Sequence, residues 1–200
     1  MAFTYFFRDF YTLELAVDYL LPTIAGRSSI RIWDAGCAMG QEPYTLAILL
    51  AEKLGHFAFK NIQIFATDID HSNLFETIIQ QGIYPFQELE RIPSHLFQKY
   101  FSPGSPDNHF QIEDRIRQRV KYYKHDLLSL TPITQELSLI VCKNVLLHFQ
   151  PAERILVYKM FHNALADKGI LINEQTQKLP DELNSLYHQF TQDAQIFQKR

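Results

Sequence analysis

Hydrophobic and polar positions along this 200-residue chain fall into two alternating periods. Residues 10–24 carry Leu13, Ala16, Val17, Leu20 and Leu21 at helical spacing, with Gly26 as a stop. Residues 30–35 form a short β-rich run that ends in small residues. Residues 43–54 return to the helical period, with Leu46, Leu49, Leu50 and Leu54 on one face and Gly55 just past the end. A second strand is predicted over 61–67, ended by Asp68, then a helix over 71–81 closed by Gly82. Residues 94–100 read as a short helix, and 137–142 as an apolar strand. Residues 151–165 read as a helix with Pro151 at its first position, and 169–173 as a further strand. Near the end, 186–190 and 195–198 are two short segments able to pair across Thr191-Gln192-Asp193.

Strands separated by helices imply parallel pairing, right-handed crossovers and a doubly wound α/β sheet in one domain spanning 1–200. Ligands in such sheets sit beyond the carboxyl ends of the strands. Those ends are Asp34-Ala35-Gly36, Asp68, Asp126 and Lys143-Asn144. One stretch breaks the alternation. After a turn-rich run at 102–109, Ile116, Gln118, Val120 and Tyr122 alternate with Arg115, Arg117, Arg119 and Lys121. That period of two predicts a small antiparallel β insert over 101–124, with a basic outer face.

Composition narrows the function classes. A hydrophobic share of 46% and a charged share of 20% describe a folded chain, not a disordered one. The net charge of −3 gives no bulk electrostatic case for binding nucleic acid or a membrane surface. Cys37 and Cys142 lie in apolar runs without metal-ligand spacing, the pattern of reduced core thiols in a cytoplasmic protein. No apolar run approaches the roughly 20 residues of a membrane span. Sixteen Phe and ten Tyr suit a cleft for a flat ligand, and equally suit core filling.

Candidate chemistry gathers at the strand ends. From Asp34 to Tyr44, Gly36 and Gly40 allow close backbone approach at a helix N-terminus. The pattern is neither a dinucleotide fingerprint nor a phosphate loop. Glu42 stands where phosphate would sit; a carboxylate there repels phosphate and favours an ammonium group. Spacing alone leaves a second reading open, a glycine turn followed by a helix-capping acid. Asp68 ends the second strand where doubly wound folds hold ribose hydroxyls. A carboxylate suits a cis-diol; Asp70 is the better candidate for capping the next helix.

These residues resemble the chemotaxis receptor glutamate methyltransferases of the CheR type, which use S-adenosylmethionine. The resemblance runs from Thr4 to about Lys199. It rests on motifs in order: Thr4-Tyr5-Phe6-Phe7-Arg8-Asp9, Trp33-Asp34-Ala35-Gly36-Cys37 with Gly40-Gln41-Glu42-Pro43-Tyr44, Ala66-Thr67-Asp68-Ile69-Asp70, Gly82-Ile83-Tyr84, His125-Asp126-Leu127-Leu128 and Cys142-Lys143-Asn144-Val145-Leu146. The resemblance implies a class I methyltransferase fold, Rossmann-like, with the small β insert docking receptors by adding a strand to an exposed edge. It implies that Thr4 and Arg8 close over the methionyl end and the reacting methyl. Glu42 would accept the methionyl ammonium, and Asp68 would clamp the ribose. Gly36 would pass close to the cofactor, Asp126 and Leu127 would frame adenine, and Lys143 and Asn144 would lie beside the cofactor.

The chain departs from the family pattern at named places. Lys143 stands for the usual Arg, His148 for the usual Tyr beside the methyl, and Asn173-Glu174-Gln175-Thr176 for Gly-His-Ser-Glu. The family's arm is preceded by a helical domain, which this chain is expected to lack. An Arg-to-Lys change replaces a planar fork with a point charge, and a histidine changes charge in the physiological range where tyrosine does not. The leading expectation is therefore glutamate O-methylation of a signalling protein, with Arg8 and His148 as the catalytic pair and no nucleic-acid partner. The alternatives are methylation of another acceptor with His148 as base, or a module that binds S-adenosylmethionine or S-adenosylhomocysteine without turnover.

Overall fold

The computed structural model describes residues 4–200. Its elements run α1 (Phe10–Ile24), β1 (Ile30–Ala35), α2 (Gln41–Phe59), β2 (Ile62–Asp68), α3 (Phe75–Gln81), β3 (Ile83–Pro85), α4 (Phe86–Leu89) and α5 (Ser94–Tyr100). They continue with β4 (Phe101–Pro103), β5 (His109–Ile112), α6 (Asp114–Arg117), β6 (Val120–Lys124), β7 (Leu137–Cys142), α7 (Pro151–Ala164), β8 (Leu165–Asn173), β9 (Tyr187–Gln189) and β10 (Ile196–Lys199). The main sheet has seven strands in the order β6-β2-β1-β7-β8-β10-β9. From β6 to β8 the pairing is parallel, and β10 joins β8 and β9 antiparallel.

The central strands are apolar on both faces because both are covered. Ile32, Ile64, Leu139, Val141, Ile170 and Ile172 pack into the core that also holds Leu13, Val17 and Leu20 of α1 and Leu46 and Leu50 of α2. Their chain neighbours Trp33, Ile140, Cys142 and Leu171 pack on the other face with Val157 and Phe161 of α7. This alternation within unbroken apolar runs places helices on both sides, as the doubly wound reading requires. The final hairpin, β9 with β10, pairs as its sequence implied.

The differences are local. The helix expected to stop at Gly55 continues to Phe59, with a kink at Gly55, whose φ is 71°. The helix expected over 71–81 begins only at Phe75, because the Asp70 carboxylate accepts from the Phe75 backbone N–H at 3.0 Å and holds a turn first. The larger correction concerns the insert over 101–124. The small antiparallel sheet is built from β3, β5 and β4, so it draws on 83–85 and ends at Ile112. Arg115 and Arg117 lie on the short helix α6, and Lys121 lies on β6, which pairs in parallel with β2 in the main sheet. The alternation over 115–122 is not one strand. Ile116 enters the core from a helical turn and Val120 from a strand, and two buried residues four apart fit either period.

Candidate functional site

The arm ahead of α1 is pinned by its own aromatic residues. Phe6 is fully buried, edge-on to Tyr84 at 4.9 Å and to Phe101 at 5.8 Å. The Phe7 backbone N–H donates to Thr45 Oγ1 of α2 at 3.0 Å. Phe7 and Asp9 both take left-handed backbone angles, φ 61° and 49°. A bulky residue such as Phe7 holds that conformation only where surrounding packing imposes it. The arm thereby carries Thr4 and Arg8 to the carboxyl ends of the strands.

The turn after β1 is equally constrained. Gly36 and Cys37 donate backbone N–H groups to the Thr67 carbonyl at 2.7 and 3.0 Å, tying the ends of β1 and β2 together. Gly36 has φ 108°, and a Cβ there would lie 2.0 Å from Val145 Cγ2. Only glycine lets the chain pass this close beneath the cleft. The Asp68 carboxylate accepts from the backbone N–H of Ala38 at 3.0 Å and of Asp70 at 3.2 Å, which aims it into the cleft mouth.

Two adjoining hollows open over these strand ends. One, of about 590 Å³, is lined by Thr4, Arg8, Gly36, Glu42, Asp68, Lys143, Asn144 and His148 among others. The second, of about 170 Å³, is lined by Asp126 and Leu127 and shares Gly36, Asp68, Ile69, Val145 and Phe149 with the first. Every candidate site residue of the sequence therefore lines one continuous cleft. Asp126 spends one oxygen on the Leu128 backbone N–H at 2.9 Å, so its other oxygen is the one left for a ligand.

The floor of the larger hollow is a charge cluster that the sequence did not disclose. Lys143 is buried, and its ammonium lies 3.0 Å from Glu42 Oε2 and 3.2 Å from Asp9 Oδ2. Burial by itself would lower the Lys143 pKa; the two carboxylates outweigh it, and the net displacement is upward. Asp34 lies fully buried nearby, and neither of its carboxylate oxygens has a hydrogen-bond partner among the described residues. Burial first, then the neighbouring Glu42, raises its carboxyl well above the usual carboxylate range. Asp34 was visible only as an acid at the end of an apolar strand, and Asp9 only as part of the arm motif. Contact between residues 9, 42 and 143 exists in the fold alone. Cys37 and Cys142 are free and buried, and burial pushes both thiols up, as expected of inert core cysteines.

Residues 2–196 match the family described as the CheR methyltransferase, SAM binding domain. The chain belongs to the CheR methyltransferase family. It is similar to a chemotaxis protein methyltransferase of Borreliella burgdorferi, 32% identical over 193 residues that cover 92% of this chain and 67% of that one. It is also similar to a chemotaxis protein methyltransferase 2 of Vibrio cholerae, 30% identical over 190 residues, 92% of this chain and 65% of that one. The chain thus spans about two thirds of the length of these curated CheR-type relatives. Among solved structures, a TehB-like SAM-dependent methyltransferase from Corynebacterium glutamicum shares the fold with a TM-score of 0.51 at 15% identity, covering 94% of this chain and 85% of that one.

The CheR family's cofactor is S-adenosylmethionine, and the cleft fits it. Acids stand at one end for an ammonium, the amide-held Asp68 stands in the middle for a diol, and the glycine cradle at Gly36 is one that a Cβ would fill. No helix among the described residues is long and apolar enough to cross a membrane.

Proposed function

We propose that this CheR-family chain methylates the side-chain carboxylate of glutamate in a signalling protein. The observation that carries the reading is the meeting of Arg8, Glu42, Asn144 and His148 in one open hollow that continues into the Asp68–Asp126 lobe. Bound in that cleft, S-adenosylmethionine supplies an electrophilic methyl group. Glu42 holds the ammonium, Asp68 the ribose hydroxyls, and Asp126 and Leu127 the adenine, while Thr4 and Arg8 stand at the methyl end. A carboxylate acceptor is already ionised at neutral pH, so no general base is required. The work of the protein is to position the acceptor and exclude water. Arg8 is suited to a paired hydrogen bond with the acceptor carboxylate. His148, exposed at the rim on a short turn after Asn144, shapes and polarises the acceptor side.

Docking of the partner is assigned to the small sheet. β4 is an outer strand with Ser102 and Pro103 exposed, and an edge strand can accept an added one. Lys121 and Lys124 of β6 are exposed and suit an acidic partner, whereas Arg115 and Arg117 of α6 already pair with Glu113 and Asp114.

The test is transfer of labelled methyl to a glutamate-bearing receptor fragment, followed by mild alkali. Release of the label as methanol supports a carboxyl ester. Label stable to alkali excludes an ester and overturns the glutamate reading. The His148→Tyr variant is expected to retain or improve ester formation; if it abolishes transfer, His148 acts as a base and the acceptor is not a carboxylate.

A further inference from the structure

The charge cluster under the cleft contains one cation and two anions that touch it. Lys143 Nζ sits 3.0 Å from Glu42 and 3.2 Å from Asp9, and the lysine side chain is only 2% exposed. Arg8 and Asp68 also line the hollow, and Asp34 lies buried beneath it. If Glu42 faced Lys143 alone, the pair would be complete, and a second cation arriving at Glu42 would meet a neighbour of its own sign. Asp9 alters this. With Asp9 present, Lys143 keeps one carboxylate when the ligand ammonium takes the other.

We propose that Asp9 is a positioning residue for the cofactor: it holds the Lys143 charge so that Glu42 can accept the ligand ammonium. The proposal rests on the reading of Glu42 as the ammonium acceptor. Asp9 belongs to the arm that carries Thr4 and Arg8, so filling the ammonium position also secures the arm. The Asp9 side chain makes no capping hydrogen bond to α1, so its carboxylate is not occupied by the helix it precedes. Its left-handed backbone angle, φ 49°, is one that asparagine adopts as readily as aspartate. An Asp9→Asn change therefore removes the charge and leaves the backbone in place.

Two ligands separate this role from a structural one. S-adenosylhomocysteine carries the ammonium and its carboxylate; 5′-methylthioadenosine presents the same adenosine and sulfur without either. Loss of the Asp9 charge would weaken the hold on the ammonium and not on the carboxylate. Calorimetric titration of the D9N variant is expected to show S-adenosylhomocysteine weakened about tenfold, with 5′-methylthioadenosine unchanged within about twofold. In a K143M background, where no cation competes for Glu42, the same D9N change is expected to cost nothing further. Equal weakening of both ligands means that Asp9 merely supports the fold and overturns the proposal. So does an unchanged or tightened affinity for S-adenosylhomocysteine, or full additivity of D9N and K143M. Failure of the unsubstituted protein to bind either ligand would instead reject the cofactor reading of Glu42, a result distinguishable from all of these.

Discussion

Two buried or half-buried acids at strand ends serve opposite purposes. Asp68 is held by two backbone N–H groups and lines the cleft, so its carboxylate is fixed in place and presented. Asp68→Ala is expected to leave the ribose hydroxyls unpaired and to weaken S-adenosylhomocysteine binding by about 1–3 kcal/mol, read by calorimetry. Asp34 has no such donors among the described residues, and its pKa is raised by burial and by Glu42. The sign follows. A carboxyl whose pKa is higher folded than unfolded binds its proton more tightly in the native state, so stability falls as pH rises from the ordinary carboxylate range through the folded value. Asp34→Asn removes that dependence. Urea unfolding without ligand should show the variant gaining stability relative to the parent as pH rises from about 4 to 8. A parallel pH profile for the two proteins would mean that Asp34 finds a partner in solution. The sequence singles out Asp68 as a candidate for a diol, but the backbone donors that hold it and the partnerless burial of Asp34 appear only in the fold.

Among the elements, the arm and the glycine turn define the cleft walls. The arm has no regular secondary structure, so its position depends on side-chain burial. Phe6→Ala removes a fully buried ring packed on Tyr84 and Phe101 and is expected to cost about 3–5 kcal/mol in urea unfolding. It should also weaken cofactor binding, because Thr4 and Arg8 ride on the same segment. Gly36→Ala combines a Cβ that meets Val145 at 2.0 Å with a backbone angle of φ 108°. The variant is expected to be destabilised by more than about 2 kcal/mol, and calorimetry should find little residual binding if it folds. The element-level misreading at 101–124 arose where an alternating pattern happened to straddle a helical turn and a strand. Four-residue spacing of Ile116 and Val120 satisfies both periods, and only pairing of β6 with β2 decides between them.

Over the whole molecule, the cleft is the seam where strand ends, arm and glycine turn meet, so ligand binding should stabilise the fold as a unit. At a concentration one hundred times Kd, S-adenosylhomocysteine is expected to add about 2.7 kcal/mol. For a chain of this size that corresponds to a rise in Tm of about 5–10 °C by calorimetric or fluorescence melting. A Tm unmoved by saturating ligand would mean that the cleft does not bind it. The sequence alone specified the architecture and which of its candidate residues would line one cleft. Apolar runs alternating with amphipathic helices impose a parallel sheet, and a parallel sheet brings its strand ends together, so residues 34–36, 68, 126 and 143–144 had to converge. The tertiary structure alone decided how those residues divide their charges. Whether Lys143 meets Glu42, Asp9 or solvent depends on the path of an arm more than one hundred residues away in the chain, and on burial that makes each unpaired charge costly. Periodicity records which way a side chain faces; it carries no record of the partner found there.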